Sequence, residues 1–589
     1  MMQRLHILFS RKYGWALLLL LLLGINYISS WFYYRIDLTK EKRYTLSTAT
    51  NNLLKELEEP LEITVFLKGE FPSGFRKLAG STDDFLRLLK DKSRSKINYQ
   101  FINPTDDVAN GMSWGDSLSK LGALNINLTV QRKAGQSSNI IYPVAIVKYG
   151  NRQALVNLFP GASRAISQVE LNTAESLMEY QFVSAFDKLI HAERPGIAYT
   201  VGHGEPVDER TYMLRTALAD QYDLRTLDLA TLPAVPSSVS LMLMVKPTLA
   251  FSDADKLKID QFVMRGGKLL LFIDNLYAEM DSFATKSSTV AYDRNLGLTD
   301  LLFKYGARVN TDLVMDLRCE VSYLQVGGNA SHPQMEFLPW NYFPLVASPA
   351  QKNKLQMPGY VGLKFANSID TISVAGVTKT PLLVSSERSR TIGTPALISL
   401  NENRIAPDDK VFNKNEVPVA LLLEGKFSSL FANRVSKSYL DSTASAGVPF
   451  MRESVDNKII VVADGDVVLN DYIPVLTKEG EIDNTQAPQP IEMGWNKYTL
   501  LEYMLGRENG KYFIPVANKE FLLNSVEYLV ANPAISETRG KEIVLRLLDA
   551  EQVKAEKTTW QLINIGLPII LIVLFGFMWQ SIRMKKYTK

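Results

Sequence analysis

The chain has 589 residues, with 65 Lys and Arg against 62 Asp and Glu, a formal net charge of +3. That balance removes the electrostatic case for a nucleic-acid binder. Hydrophobic residues at 46% and charged residues at 22% exclude wholesale disorder and suit a folded α/β protein, which at this length implies roughly three or four domains.

Residues 1–12 carry Arg4, Arg11 and Lys12, and 13–34 (YGWALLLLLLLGINYISSWFYY) contain no charge. At about 1.5 Å per residue such a run crosses a bilayer core, and the preceding cations predict a cytoplasmic N-terminus. The rival reading is a cleaved signal peptide, which the basic start and the leucine run also suit. Against it, Ile28-Ser29-Ser30 lacks a small residue at the first of the two usual small positions, and no lipobox cysteine follows.

Residues 35–47 form a charged juxtamembrane linker ending at Ser47, a predicted N-cap for a helix over 48–58 that stops before Pro60. A strand over Leu61–Leu67, a helix over Phe75–Lys90 and strand-like runs INYQFIN, ALNINLTV, YPVAIVKY and QALVNLF follow. Closed by a helix near 167–192, they predict a first outer α/β domain over 48–192.

A second domain, 193–309, opens on the buried-strand pattern Gly196–Val201. It continues with a helix near 208–222, LRTLDL, the apolar strand SLMLMVKP (Ser240–Pro247), an amphipathic helix over Asp253–Gly267 and the strand KLLLFID (Lys268–Asp274). Apolar strands alternating with helices predict a doubly wound, largely parallel sheet covered on both faces. Residues 310–415, richer in Pro, Asn, Ser and aromatics, predict a β-rich insertion or third domain. Residues 416–534 hold VPVALLLEG and KIIVVADGDVV, expected to complete the sheet, and a helix near 518–530. A stalk helix over 535–559 leads to a second uncharged run, 560–579, and the basic tail 580–589. Both tails are then cytoplasmic and the bulk of the chain lies outside an inner membrane.

The chemistry is sparse. One cysteine, Cys319, cannot form an internal disulfide, and four scattered histidines (His6, His191, His203, His332) do not suggest a metal site. No motif calls for a cofactor. Gly267-Lys268-Leu269 and Gly510-Lys511-Tyr512 lack the glycine spacing and the hydroxyl of a phosphate loop. No Gly-x-Ser-x-Gly elbow follows any strand, so no catalytic residue is assigned.

The turn Gly202-His203-Gly204-Glu205 follows a parallel strand, where ligand crevices form. His203 and Glu205, with Asp274, Asn275, Asp464 and Asp466 from neighbouring strand ends, are candidate ligand-binding residues; a purely structural turn is the competing use. In Met335–Val346, Trp340, Tyr342 and Phe343 are either a contact patch for a partner or core filling. Asn564, Gly566 and Pro568 of the second hydrophobic run suggest a partner helix in the membrane, or a harmless kink.

The segments R-I-D-L-T-K-E-K-R-Y-T-L-S (Arg35–Ser47), V-G-H-G-E-P (Val201–Pro206) and Q-F-V-M-R-G-G-K-L-L-L-F-I-D (Gln261–Asp274), set between two anchors, resemble the GldG family over essentially the whole chain. These are gliding-motility-associated auxiliary subunits of ABC transporters in Bacteroidetes. The resemblance implies a domain related to the GIFT module of intraflagellar transport proteins and to amidotransferase-like sheets, without the amidotransferase nucleophile. It further implies a GldF-like permease and a GldA-like cytoplasmic ATPase as partners, alongside membrane lipid. The expectation is a non-enzymatic, membrane-anchored outer subunit, whose self-association stays open. The alternative is a tethered glycan- or peptide-binding receptor using the His203 crevice.

Overall fold

The computed structural model describes residues 19–24, 26 and most of 45–587; the longer stretches outside it are 1–18, 27–44, 105–113, 160–167, 350–354, 403–406, 437–448, 507–511 and 539–549. The expected first membrane span therefore lies mostly outside the described residues, of which 19–24 and 26 are helical. The chain divides into two units, Met1–Lys541 and Glu542–Lys589.

In the larger unit, Ser47 caps α1 (Thr48–Glu56), its hydroxyl accepting from the Thr50 N–H, as the sequence predicts. A four-stranded sheet follows, built from β1 (Leu61–Val65), β2 (Ile97–Phe101), β3 (Val144–Tyr149) and β4 (Arg152–Asn157) in the order β2-β1-β3-β4. Parallel β1 and β2 are joined by α2 (Ser73–Lys92), because a parallel pair needs a crossover connection. In β1, Leu61, Ile63 and Val65 are buried while Glu62 is exposed, the period-two alternation of a strand with one face on a core. α3 (Gln168–Ile190) closes that core with Leu177, Phe182, Val183 and Phe186.

The second lobe is built on β5 (Gly196–Val201), α4 (Tyr212–Ala219), β6 (Asp223–Asp228), β7 (Val239–Val245), α5 (Asp253–Met264), β8 (Lys268–Phe272) and α6 (Thr299–Tyr305). The long hairpin β9 (Cys319–Asn329) and β10 (His332–Val346) comes next. Then follow β11 (Val377–Val384), β12 (Pro418–Gly425), β13 (Asn457–Val462), α7 (Lys497–Met504) and α8 (Asn518–Val530). The helix expected near 208–222 is shorter, since Asp208 caps a single 3₁₀ turn, Glu209–Thr211, before α4 begins.

Seven strands form one mixed sheet in the order β11-β12-β13-β8-β7-β5-β6. The run from β13 to β6 is parallel; β12 lies antiparallel to β13 and to β11. Leu241, Leu243 and Val245 face one apolar core with Leu214, Phe521 and Val526, while Met242 and Met244 face the other with Ile259, Phe262 and Leu302. Burying each such side chain contributes roughly 1.5–3 kcal/mol, which is why these strands read as unbroken apolar runs. That same pattern carries no strand direction, so the antiparallel setting of β12 is visible only in the fold. Residues 310–415 hold the hairpin β9–β10 and lend β11 to the sheet edge.

The smaller unit is α9 (Ala550–Tyr587), whose segment Glu556–Lys585 is long and apolar enough to cross a membrane.

Candidate functional site

The sequence-predicted ligand residues sit at the carboxyl ends of the parallel strands, in two groups. The first is the turn after β5. The His203 backbone carbonyl accepts from Thr248 and Leu249 N–H groups, each at 2.8 Å, and its N–H donates to Glu205 Oε2 at 2.7 Å. The imidazole stacks on Phe251 with ring centroids 3.8 Å apart, and Nε2 lies 3.4 Å from Asp255 Oδ2. Gly202 and Gly204 take left-handed φ of 104° and 78°, a backbone shape that glycine adopts at little cost. Nδ1 of His203 and Oε1 of Glu205 are buried 4.0 Å apart, and neither has a hydrogen-bond partner.

The second group centres on Lys246, the residue after β7. Its ammonium lies 2.7 Å from Asp466, 2.8 Å from Glu279 and 3.3 Å from Asp274. Glu279 in turn holds Arg294 at 2.7 Å. Asp274 Oδ1 accepts from the Gly465 N–H at 2.5 Å, and Asp464 accepts from the N–H groups of Lys364 and Asp466. Lys246 has a left-handed φ of 47°, costly for a side-chain-bearing residue and sustained here by its partners. A Cβ on Gly465 would stand 2.7 Å from Lys246 Cβ, so glycine is required there for the lysine to enter.

Burial pushes the Asp274 carboxyl up to about 6, against the pull of Lys246 and with Asp466 and Glu279 adding to the rise. Asp464 is raised well above the usual carboxylate range, by burial first and then by the charges of Asp274 and Asp466. Asp466 is lowered, because Lys246 and Lys364 outweigh its burial. Burial alone would lower Lys246, yet Asp466, Asp274 and Glu279 together raise it. A lysine held charged in this way is neither a nucleophile nor a base; it neutralises buried carboxylates.

Asn275 serves the fold: its N–H donates to Asn367 Oδ1 and its side-chain amide to the Val309 carbonyl. Lys246, Glu279 and Arg294 were not singled out from the sequence. A lone lysine ending the apolar run Ser240–Val245 was the one signal for them, since a charge at a doubly buried strand end demands a partner.

For the aromatic cluster the structure gives the core use and corrects the surface one. Trp340, Tyr342 and Phe343 are 0%, 2% and 8% exposed and pack with Phe283 and Phe365, because the base of the hairpin folds over an apolar cluster of its own. They are not on a surface that a partner could touch. Asn564, Gly566 and Pro568 lie within α9, with Pro568 inside the helix, and a Cβ added at Gly566 would meet nothing within 4 Å.

Residues 194–503, more than half of the chain and the segment holding both groups, match the family described as an ABC-type uncharacterized transport system, an auxiliary component. The chain belongs to that family. Residues 40–148 match a domain of unknown function (DUF7088). An uncharacterized protein of Borreliella burgdorferi is 23% identical over 423 residues, 69% of this chain and 75% of that one. Among solved structures, the mmIFT52 N-terminal domain aligns at 14% identity and TM-score 0.25, over 46% of this chain and 88% of that one. The exo-beta-1,4-mannosidase Op5Man5 from Opitutaceae bacterium strain TAV5 aligns at 12% identity and TM-score 0.18, over 67% of this chain and 46% of that one. Family membership places the protein in an ABC transport system, and α9 makes membrane association plausible.

Proposed function

We propose that the chain is a non-enzymatic auxiliary subunit of the GldG type, associated with bacterial gliding motility. It is anchored in the inner membrane by segments 13–34 and 560–579, with both termini cytoplasmic and the bulk periplasmic. The large sheet is read as a doubly wound, GIFT-like domain. A GldF-like permease and a GldA-like ATPase supply the energy, and their rearrangement biases the outer lobes.

The observation that carries this reading is the family match over the residues that build the sheet and its strand-end network. Support comes from the network itself, in which Lys246, Asp274, Glu279 and Asp466 are committed to one another. The test is purification of the full chain with the permease and ATPase co-expressed. Stable co-purification is expected; a solitary, fully stable chain that never associates rejects the proposal.

The orphaned His203 Nδ1 and Glu205 Oε1 favour a second reading, a periplasmic receptor for a glycan or peptide at that turn. Oligosaccharide and peptide libraries, screened by thermal shift on the full chain, test it by mass action. A hit abolished by His203→Ala supports it, and no hit rejects it.

A further inference from the structure

Within the larger unit, residues 46–54 and residues 535 and 538, far apart in sequence, pack into the same core. In the first segment, Leu46 is buried, and the Ser47 N–H and Thr50 hydroxyl donate to Glu179 at 2.7 and 2.6 Å. Beyond α8, Ile535 joins the apolar cluster of Leu53, Leu177 and Phe186. Thr538 is buried beside it and donates to the Ile535 carbonyl. One lobe, residues 45–191 with Ile535 and Thr538, thus holds both segments. Residues 194–530 are an insert into that lobe.

The two lobes have separate apolar cores. The cluster around Leu61, Phe182 and Ile535 contains nothing from 194–530, and the clusters on the two faces of the large sheet contain nothing from 45–191. Polar contacts join them, centred on Glu527 of α8. Its carboxylate accepts a short hydrogen bond from Ser184 and pairs with Lys188 at 3.3 Å, while Lys188 also donates to Gln221 at 3.0 Å. The Lys188 side chain is 42% exposed, so water screens its pair with Glu527, whose own side chain is 16% exposed, while Ser184 is buried. Shared apolar burial would weld two lobes, whereas a small polar interface leaves them free to move.

We infer that Glu527 is the hinge contact of a two-body device, in which the 194–530 lobe turns on the 45–191 lobe and Ser184 and Lys188 hold the observed arrangement. Its use rests on the anchoring proposed above: motion imposed through the flanking segments reaches the strand-end lobe by way of the 45–191 lobe and this joint.

The test uses the full chain in detergent, in a Cys319→Ala background, with spin labels at paired cysteines read by dipolar EPR. Arg87→Cys with Arg225→Cys spans the lobes, and Arg225→Cys with Arg388→Cys is the control within one lobe. The expected cross-lobe distribution is at least twice as wide as the control. Glu527→Ala should widen or shift it further without moving the control, and Lys188→Gln should do so in part. A cross-lobe distribution as narrow as the control overturns the inference, as does one that Glu527→Ala leaves unchanged. No transport partner is present in this measurement, so its failure is distinct from failure of the ABC assignment.

Discussion

Lys246 and Asp466 are 220 positions apart in sequence, yet the ammonium of the first lies 2.7 Å from both carboxylate oxygens of the second. The pair clamps the carboxyl ends of β7 and β13 on either side of β8, and Asp274, two residues past the end of β8, completes the bridge. Desolvating these groups is expensive, so the network is a poor source of net stability but a sensitive one.

Lys246→Met should therefore cost about 3–5 kcal/mol, because it removes the buried cation that Asp274, Glu279 and Asp466 share, although Glu279 keeps Arg294. Urea denaturation of the full chain in detergent reads the loss. Adding Asp466→Asn should recover part of it, the coupling expected of groups in direct contact.

Stability should rise on mild acidification. Asp274 titrates at about 6 in the folded protein against an ordinary 3.8, so the folded state binds this proton more tightly than the unfolded chain. Its contribution is fully present below the ordinary value and is lost as pH rises through about 6. Asp464, raised by burial, acts with the same sign. Asp466, lowered, gives stability that is present above its ordinary value and lost only as pH falls below it. Melting midpoints at pH 7.5 and pH 5 compare the two regimes, and Asp274→Asn should flatten the difference. An unchanged slope in that variant would assign the effect elsewhere.

Glu320 offers a second buried carboxyl, with Oε1 unpartnered and its titration pushed up to about 7 by burial. At pH 8 the folded chain holds it charged and buried, with Asn496 and Lys364 offsetting only part of that cost. Glu320→Gln should then stabilise by on the order of 2 kcal/mol at pH 8 and change little at pH 5. Equal effects at both pH values would show that packing, rather than charge, governs this position.

Trp340 is fully buried among Phe283, Tyr342 and Phe343. Trp340→Ala should cost about 3–5 kcal/mol through lost burial and the cavity left behind. A variant as stable as the parent by denaturation would return this residue to the surface role that its sequence context also allowed.

Much of the fold is legible from local pattern. Ser47 before an amphipathic run, and the apolar strands Gly196–Val201, Val239–Val245, Lys268–Phe272, Pro418–Gly425 and Asn457–Val462, report themselves because burial on both faces demands continuous hydrophobicity. His203, Glu205, Asp274, Asp464 and Asp466 were reachable because strand ends of a parallel sheet converge on one edge. Which of them touch was not reachable. Glu279 and Arg294 lie in polar stretches that look like any loop, and Lys246 looks like an ordinary strand-end lysine until Asp466 arrives from far along the chain.

The amino-acid order alone determined the membrane-length apolar run at 560–579, six of the seven strands of the large sheet (all but β11) and the absence of a phosphate loop, all of which depend on neighbours within a few residues. Only the tertiary structure decided that β12 runs antiparallel, that Trp340 is core, that Lys246 is spent on three carboxylates and that Ile535 returns to the first lobe. Each of those is a pairing between distant segments, chosen by what fills a core or balances a buried charge, and local periodicity carries no record of the partner.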